Sequence, residues 1–244
     1  SSALTEQVVL DVVSSAYDSA GQRCSALRVL CVQEDNADAV IQMLKGAMQQ
    51  LQVGNPYLLK TDIGPVIDAE AQENIQKHID KMRQKGHRVH QLMRNDAQDS
   101  ELDAGTFITP TLIELPNLND LEREVFGPVL HVIRFNQGSL KQLLEHINSK
   151  GYGLTMGLHT RIDETIQTVM THAEVGNLYI NRNIVGAVVG VQPFGGEGLS
   201  GTGPKAGGPI YLYRLMQNCS AKKLNKPFAT GADLNPQVEF SNSA

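Results

Sequence analysis

Strand-like and helix-like segments alternate along most of this chain. Residues 3–18 repeat apolar side chains at helical spacing, and similar patterns recur at 35–51, 69–85, 139–149 and 163–173. Short apolar runs typical of strands lie between them, at residues 27–33, 88–93, 107–115, 129–135, 153–159 and 177–181. Parallel strands need a crossover connection, which is usually a helix. The alternation therefore predicts an α/β fold, with a mostly parallel sheet and helices on both faces.

The chain changes character after residue 181. From Arg182 to Pro209 it is rich in glycine and shows no helical or strand period. A long stretch of this kind is usually functional or disordered, so we expect it to carry binding residues. Residues 217–244 are expected to form an extended or disordered tail. The organised part of the chain is thus predicted to be residues 1–216.

Composition restricts the partners and the compartment that we expect. The formal net charge of −5 gives no electrostatic reason to bind nucleic acid. Three cysteines, an odd number in a chain of 244 residues, do not form the pattern of a disulfide framework, which favours a reducing cytoplasm. The seven histidines are scattered without the spacing of metal ligands, so no metal site is expected.

The segment around Cys24 is the most informative short stretch. It lies between the predicted first helix and the strand at 27–33, where a side chain can be held rigidly and still be exposed. The thiolate is the nucleophilic form of cysteine, and a positive neighbour such as Arg23 favours it. Composition alone nevertheless favours a small buried hydrophobic residue at this position, as it does for Cys31 in the middle of the strand.

Three motifs together resemble one enzyme family. Residues 21–26 (GQRCSA) are similar to the active-site cysteine motif of aldehyde dehydrogenases. Residues 124–128 (EVFGP) and residues 192–196 (QPFGG) resemble two further motifs and follow in the family's order. On these strings the chain is identified as a member of the aldehyde dehydrogenase superfamily. The resemblance implies the three-layer catalytic domain of that fold over residues 1–216.

A narrower resemblance concerns the substrate. Cys24-Ser25 and residues 181–190 (NRNIVGAVVG) resemble the branch that oxidises L-glutamate γ-semialdehyde, the ring-opened form of Δ1-pyrroline-5-carboxylate. Residues 195–209 are most similar to the bifunctional proline utilisation flavoenzymes of bacteria. The resemblance implies NAD-dependent oxidation of the semialdehyde to L-glutamate, the second step of proline degradation.

The family motifs imply roles for individual residues. Cys24 would attack the aldehyde, form a thiohemiacetal and then a thioester, and use its backbone N–H to hold the oxyanion. Glu124 would bind the ribose hydroxyls beside the nicotinamide of NAD, and Phe126 would pack against the same ribose. For both, an ordinary surface glutamate and core phenylalanine before a Gly-Pro turn is the open alternative.

The resemblance also implies a site for the substrate's α-carboxylate. Two consecutive N–H groups at Gly186 and Ala187 can form an anion-binding nest, because glycine allows the necessary φ. The hydroxyl of Ser25 would be a third donor, and Phe194 would be an aromatic wall against the aliphatic part. The alternative for residues 183–192, which we call the substrate loop, is a mobile loop without a fixed ligand.

The same family implies parts that we do not find in this sequence. We expect a fragment that lacks the amino-terminal NAD-binding domain, which would supply most NAD contacts, the general base and an oxyanion asparagine. The parent enzyme is expected to be a homodimer, with FAD only in a proline dehydrogenase domain. Its location is expected to be cytoplasmic, with peripheral association at the inner membrane. The fragment alone is predicted to be inactive.

Three other functions stay open from the sequence. A cysteine hydrolase would need a histidine positioned to activate Cys24. A non-catalytic interaction domain could retain the fold, since fold does not fix function. An aldehyde dehydrogenase for another class of aldehyde would share Cys24 but would not need the carboxylate site.

Overall fold

The computed structural model describes residues 2–93, Leu102, 104–188, 190–201 and 205–207, and the backbone of 228–230. The helices are α1 (Thr5–Tyr17), α2 (Glu34–Met48), α3 (Ala69–Gln84), α4 (Leu140–Ser149) and α5 (Asp163–His172). The strands are β1 (Val29–Gln33), β2 (Arg88–Gln91), β3 (Thr111–Leu115), β4 (Val129–Phe135), β5 (Tyr152–Gly153), β6 (Thr155–Leu158), β7 (Asn177–Ile180), β8 (Glu197–Gly198) and β9 (Phe228–Thr230). A short 3₁₀ helix covers Leu118–Asp120, and Asp18–Gly21 form a turn with positive φ at Ser19 and Ala20.

Most strand pairs of the two larger sheets are parallel, as the sequence predicts. The larger sheet has the order β1-β4-β3-β2, in which β1 and β3 pair in parallel with β4 and only β2 is antiparallel. The second sheet has the parallel order β6-β7-β9. β4 is central, and its run from Val129 to Ile133 is buried throughout, as expected of a parallel strand covered on both faces.

Two apolar clusters hold these sheets. The larger one joins α1, α2 and α3 to the first sheet, and Tyr17, Leu44 and Met48 lie fully inside it. The hydroxyl of Tyr17 donates to the carbonyl of Thr111 over 3.3 Å, which satisfies a polar atom that burial would otherwise penalise. The smaller cluster packs α4 and α5 on β7, around Leu144, Val169, Ala173, Val175 and Leu178.

The element boundaries differ from the sequence prediction at a few places. The helix predicted over residues 35–51 begins at Glu34, after Gln33, which makes no side-chain cap, and ends at Met48. The strand predicted from residue 107 begins only at Thr111, after Pro110, which has no N–H to donate to a ladder. Two residues of the segment predicted to be aperiodic, Glu197–Gly198, form β8 and pair with β5.

The predicted tail, residues 217–244, lies mostly outside the described residues. Its only described residues, Phe228–Thr230, are extended and pair in parallel with β7. The boundary at residue 216 therefore stays a prediction. Within the described residues, no helix is both long and apolar enough to cross a membrane.

Candidate active site

Cys24 lies at the tip of a turn between α1 and β1. The N–H of Ala26 donates to the carbonyl of Arg23 over 3.0 Å, which closes the turn with Cys24 and Ser25 at its centre. The side chain of Cys24 is exposed, whereas Ser25 is buried. In the described part of the chain the backbone N–H of Cys24 donates no hydrogen bond. The turn therefore presents an exposed thiol and, among the described residues, an N–H donor without a partner.

The backbone before Cys24 is constrained by an unusual conformation. Ser19, Ala20 and Gly21 have φ values of 56°, 54° and 64°, so three consecutive residues lie in the left-handed region. A Cβ on Gly21 would stand 2.2 Å from the carbonyl oxygen of Gly127. Glycine at position 21 thus lets the turn approach the loop that carries the EVFGP motif.

Arg28 joins these two loops, and sequence reasoning missed it. Its Nη1 donates to the carbonyl of Gly21 over 2.6 Å, and its Nη2 donates to the carbonyl of Arg23 over 3.0 Å. Its Nε donates to Oε1 of Glu124 over 3.0 Å. The planar guanidinium suits this role, because its donors are fixed in a fork and can serve several acceptors at once.

The guanidinium group of Arg28 lies close to Phe126, Glu124 and Cys24. Its guanidinium carbon lies 4.7 Å from the ring centre of Phe126, a cation–π contact. Burial lowers the pKa of Arg28 below the ordinary guanidinium value, while the negative charges of Glu124 and of a Cys24 thiolate act in the opposite direction. Arg28 stays charged at neutral pH, so the fold places a cation beside the turn that carries Cys24.

Glu124 and Phe126 are both open to solvent. The side chain of Glu124 is 41% exposed, and Phe126 is 45% exposed although Val125 between them is buried. Only Oε1 of Glu124 is engaged by Arg28, and its other oxygen makes no hydrogen bond within the described residues. A carboxylate with a free oxygen beside an exposed aromatic ring fits the predicted contact with a ribose diol.

Cys24, Arg28, Glu124 and Phe126 line one large cavity. Its volume is about 910 Å³, and it runs along β1 and β6 to the beginning of the substrate loop at Ile184. The sequence-predicted nucleophile and cofactor-binding residues are therefore brought together although a hundred residues separate them in the chain.

The residues predicted to bind the substrate's carboxylate do not line this cavity. Gly186 has a φ of 83°, and its N–H and that of Ala187 are accessible, since Gly186 is exposed and Ala187 is half-buried. Ser25, Gly186, Ala187 and Phe194 do not line the cavity, and no hydrogen bond joins Ser25 to the loop among the described residues. Phe194 instead pairs its backbone with Ala206. The carboxylate site stays a prediction.

No histidine of the described chain hydrogen-bonds to Cys24. The half-buried His78 and the buried His131 face each other, with 2.9 Å between their Nε2 atoms, and His131 donates from Nδ1 to the carbonyl of Arg28. This geometry does not support the activation of Cys24 by a cysteine–histidine pair. Among the described residues there is also no group of three or more side chains able to hold a metal ion.

Comparisons with known proteins agree with the motifs. The family model described as "Aldehyde dehydrogenase family" matches residues 1–220. The bifunctional protein PutA of Klebsiella aerogenes is 64% identical over 230 residues, which cover 94% of this chain and 18% of PutA. The chain thus spans less than a fifth of the length of this relative.

Solved structures show the same relationship. A crystal structure of a bifunctional proline utilization A (PutA) protein superposes with a TM-score of 0.81 at 51% identity, covering 87% of this chain and 21% of that one. A 1-pyrroline-5-carboxylate dehydrogenase from Thermus, solved with bound NAD, has a TM-score of 0.75 at 34% identity, covering 87% of this chain and 40% of that one. The chain described here belongs to the aldehyde dehydrogenase family.

Proposed function

We propose that this chain carries the catalytic cysteine of an NAD-dependent dehydrogenase that oxidises L-glutamate γ-semialdehyde to L-glutamate. The observation that carries the proposal is the shared cavity of Cys24, Glu124 and Phe126, with Arg28 joining the loops that bear them. Relatives named PutA and 1-pyrroline-5-carboxylate dehydrogenase support the substrate and the place of the reaction in proline degradation.

The first half of the reaction follows from the geometry of Cys24. Its sulfur attacks the aldehyde carbon, and the carbonyl oxygen becomes negative as the thiohemiacetal forms. The N–H of Cys24, which has no partner in the described chain, is placed to donate to that oxygen. Arg28 holds the turn that carries Cys24, because it donates to the carbonyls of Gly21 and Arg23.

The second half needs a hydride acceptor and water. NAD, when bound, supplies the acceptor for the hydride that leaves the carbon attached to Cys24. Glu124 and Phe126 would hold the ribose beside the nicotinamide, with the free carboxylate oxygen of Glu124 accepting from a ribose hydroxyl. Water then cleaves the thioester, releases L-glutamate and restores Cys24. The base for this step, an oxyanion asparagine and most contacts to NAD would come from residues outside this chain.

The substrate's carboxylate would be bound by Ser25, Gly186 and Ala187. The left-handed φ of Gly186 at 83° is compatible with a nest of consecutive N–H donors. Apart from its chain neighbours, no heavy atom would lie within 4 Å of a Cβ at this position, so the space beside Gly186 is open. The Ser25 hydroxyl has no hydrogen-bond partner among the described residues, so it is free to bind a ligand. Phe194 would pack against the aliphatic carbons of the substrate.

The proposal is tested by replacing Cys24 in the chain extended upstream to include the expected cofactor domain. We expect NADH formation from L-glutamate γ-semialdehyde and NAD⁺, and its loss in Cys24→Ala. Cys31→Ala is the matched control and should remain active, because Cys31 lies within β1, where burial raises the pKa of its thiol to about 12. Activity that survives Cys24→Ala would overturn the mechanism. An extended protein that oxidises propanal but not the semialdehyde would overturn the substrate assignment alone.

A further inference from the structure

Ser15, a residue of α1, contacts the segment that follows the Cys24 turn and also the substrate loop. It is 2% exposed. Its backbone carbonyl accepts from the N–H of Leu27, just beyond the Cys24 turn, over 2.8 Å. Its hydroxyl oxygen accepts from the N–H of Ile184, at the beginning of the substrate loop, over 3.1 Å. One buried residue therefore connects the segment that carries the nucleophile with a loop that is 169 residues away in sequence.

The hydrogen bond to Ile184 lies where the chain passes from buried to exposed residues. Ile184 and Val185 are buried, and the exposed Gly186 follows directly. A Cβ on Gly157 of β6 would stand 2.6 Å from Cγ2 of Ile184, so this glycine leaves the space that the isoleucine occupies. The substrate loop is thus anchored immediately before the N–H groups predicted to bind a carboxylate.

A second contact from α1 fixes the approach to the loop. Nε2 of Gln7 donates to the carbonyl of Asn181 over 2.7 Å. Asn181 has a φ of 53°, and its side chain bonds both to the N–H and to the carbonyl of Thr160 over 2.9 Å. Of the two contacts from α1, only that of Ser15 is buried. Ser15 is also the residue that reaches the Cys24 side.

We propose that Ser15 is a positioning residue that fixes the distance between Cys24 and the carboxylate-binding end of the substrate loop. It would thereby select aldehydes whose carboxylate lies a fixed number of carbons from the reacting carbonyl. The specificity part of this inference rests on the proposed function. The anchoring part concerns the fold alone and is tested separately.

Hydrogen exchange of single backbone amides tests the anchoring in this chain without cofactor or substrate. In Ser15→Ala the N–H of Ile184 loses its acceptor and should exchange about tenfold faster. The N–H of Leu27 should not change, because its acceptor is the backbone carbonyl that alanine retains. Ser14→Ala is the matched control, since the neighbouring hydroxyl bonds only to Asp18 within the described residues. Unchanged exchange at Ile184, or equal acceleration at Leu27, would overturn the proposal.

Kinetics of the upstream-extended protein test the specificity. In Ser15→Ala we expect kcat/KM for L-glutamate γ-semialdehyde to fall about tenfold, mainly through KM, while propanal changes by less than about twofold. Equal losses for both aldehydes would overturn the specificity role, even if the exchange result stands. If the wild-type protein oxidises propanal but not the semialdehyde, the proposed substrate fails and the specificity role fails with it, whereas the exchange result still decides the anchoring.

Discussion

At the scale of single residues, Arg28 explains how an exposed cysteine is kept in place. The side chain of Cys24 projects into solvent, where its own contacts fix little. Arg28 binds the carbonyls of Gly21 and Arg23 on one side and the carboxylate of Glu124 on the other. Because a hydrogen bond to a charged group is stronger than one between neutral groups, this residue stabilises both loops.

The reactivity of Cys24 should depend on Arg28. Arg28→Met removes the hydrogen bonds to the carbonyls of Gly21 and Arg23 and to Glu124. We expect alkylation of Cys24 by iodoacetamide at neutral pH to slow by about tenfold, because the thiol is no longer held exposed at the tip of its turn. Arg28→Lys should recover only part of the rate, since an ammonium group cannot reproduce the planar fork. The measurement is the alkylation rate of the Cys24 peptide by mass spectrometry, and it needs no turnover.

Arg134→Met is the control for this experiment. Arg134 also pairs with carboxylates, those of Glu34, Asp38 and Glu114, but none of these lines the cavity of Cys24. Its loss should leave the alkylation rate unchanged. Equal rates in wild type and Arg28→Met would show that the Cys24 environment does not need Arg28.

At the scale of secondary-structure elements, α3 and β4 meet through two histidines. Burial lowers the pKa of His131 to about 3, and burial together with the charges of Lys81 and Arg123 lowers the pKa of His78 to about 4. Since His131 must donate from Nδ1 to the carbonyl of Arg28, its Nε2 is the acceptor for the N–H of His78. Both rings are therefore neutral in the folded chain at neutral pH.

The histidine pair predicts a loss of stability in mild acid. Between pH 6.5 and about 3 the unfolded chain binds a proton at His131 and the folded chain does not, so stability falls as the pH falls. From pH 7.5 to 5.0 the contribution of His131 should amount to about 2 kcal/mol. The free energy of unfolding in urea, measured at both pH values, should fall less in His131→Gln than in wild type. An equal fall in both would contradict this assignment.

At the scale of the whole molecule, the cavity is lined by residues of both larger sheets, β1-β4-β3-β2 and β6-β7-β9. The β1 and β6 segments both line it, together with the Cys24 turn and the EVFGP loop. The relatives are much longer than this chain, which covers 18% of PutA from Klebsiella and 40% of the Thermus dehydrogenase. Under the proposed function, we infer that residues outside this chain would complete the cofactor site at this cavity.

This inference predicts that the 244 residues alone do not sustain turnover. With NAD⁺ and the semialdehyde, the chain should form no continuous NADH, because the base that activates water and most NAD contacts are expected elsewhere. Cys24 of this chain should still be alkylated by iodoacetamide, since the turn that carries it and the Arg28 side chain that holds the turn both belong to these 244 residues. Sustained NADH formation by this chain would show that its own residues supply both missing functions.

The sequence by itself determined most of the secondary-structure elements and the family. The spacing of apolar residues is a local property of the sequence. For this reason α1, α3, β4 and most other elements were predicted to within a few residues. The family was equally readable, because its motifs are short and contiguous. Cys24, Glu124 and Phe126 stand in the same motifs, and their roles stay predictions. α2 begins at Glu34 instead of residue 35, and its first turn forms without a side-chain cap.

Only the tertiary structure decided which of these residues meet. Arg28 is 96 residues from Glu124, and Ser15 is 169 residues from Ile184, so no local pattern marks either pair. The antiparallel pairing of β2 and the addition of β9 to β7 were likewise invisible, because side-chain periodicity reports which face is buried and not which strand is the neighbour. Long-range hydrogen bonds depend on the path of the whole chain, and that path turns separate motifs into one candidate site.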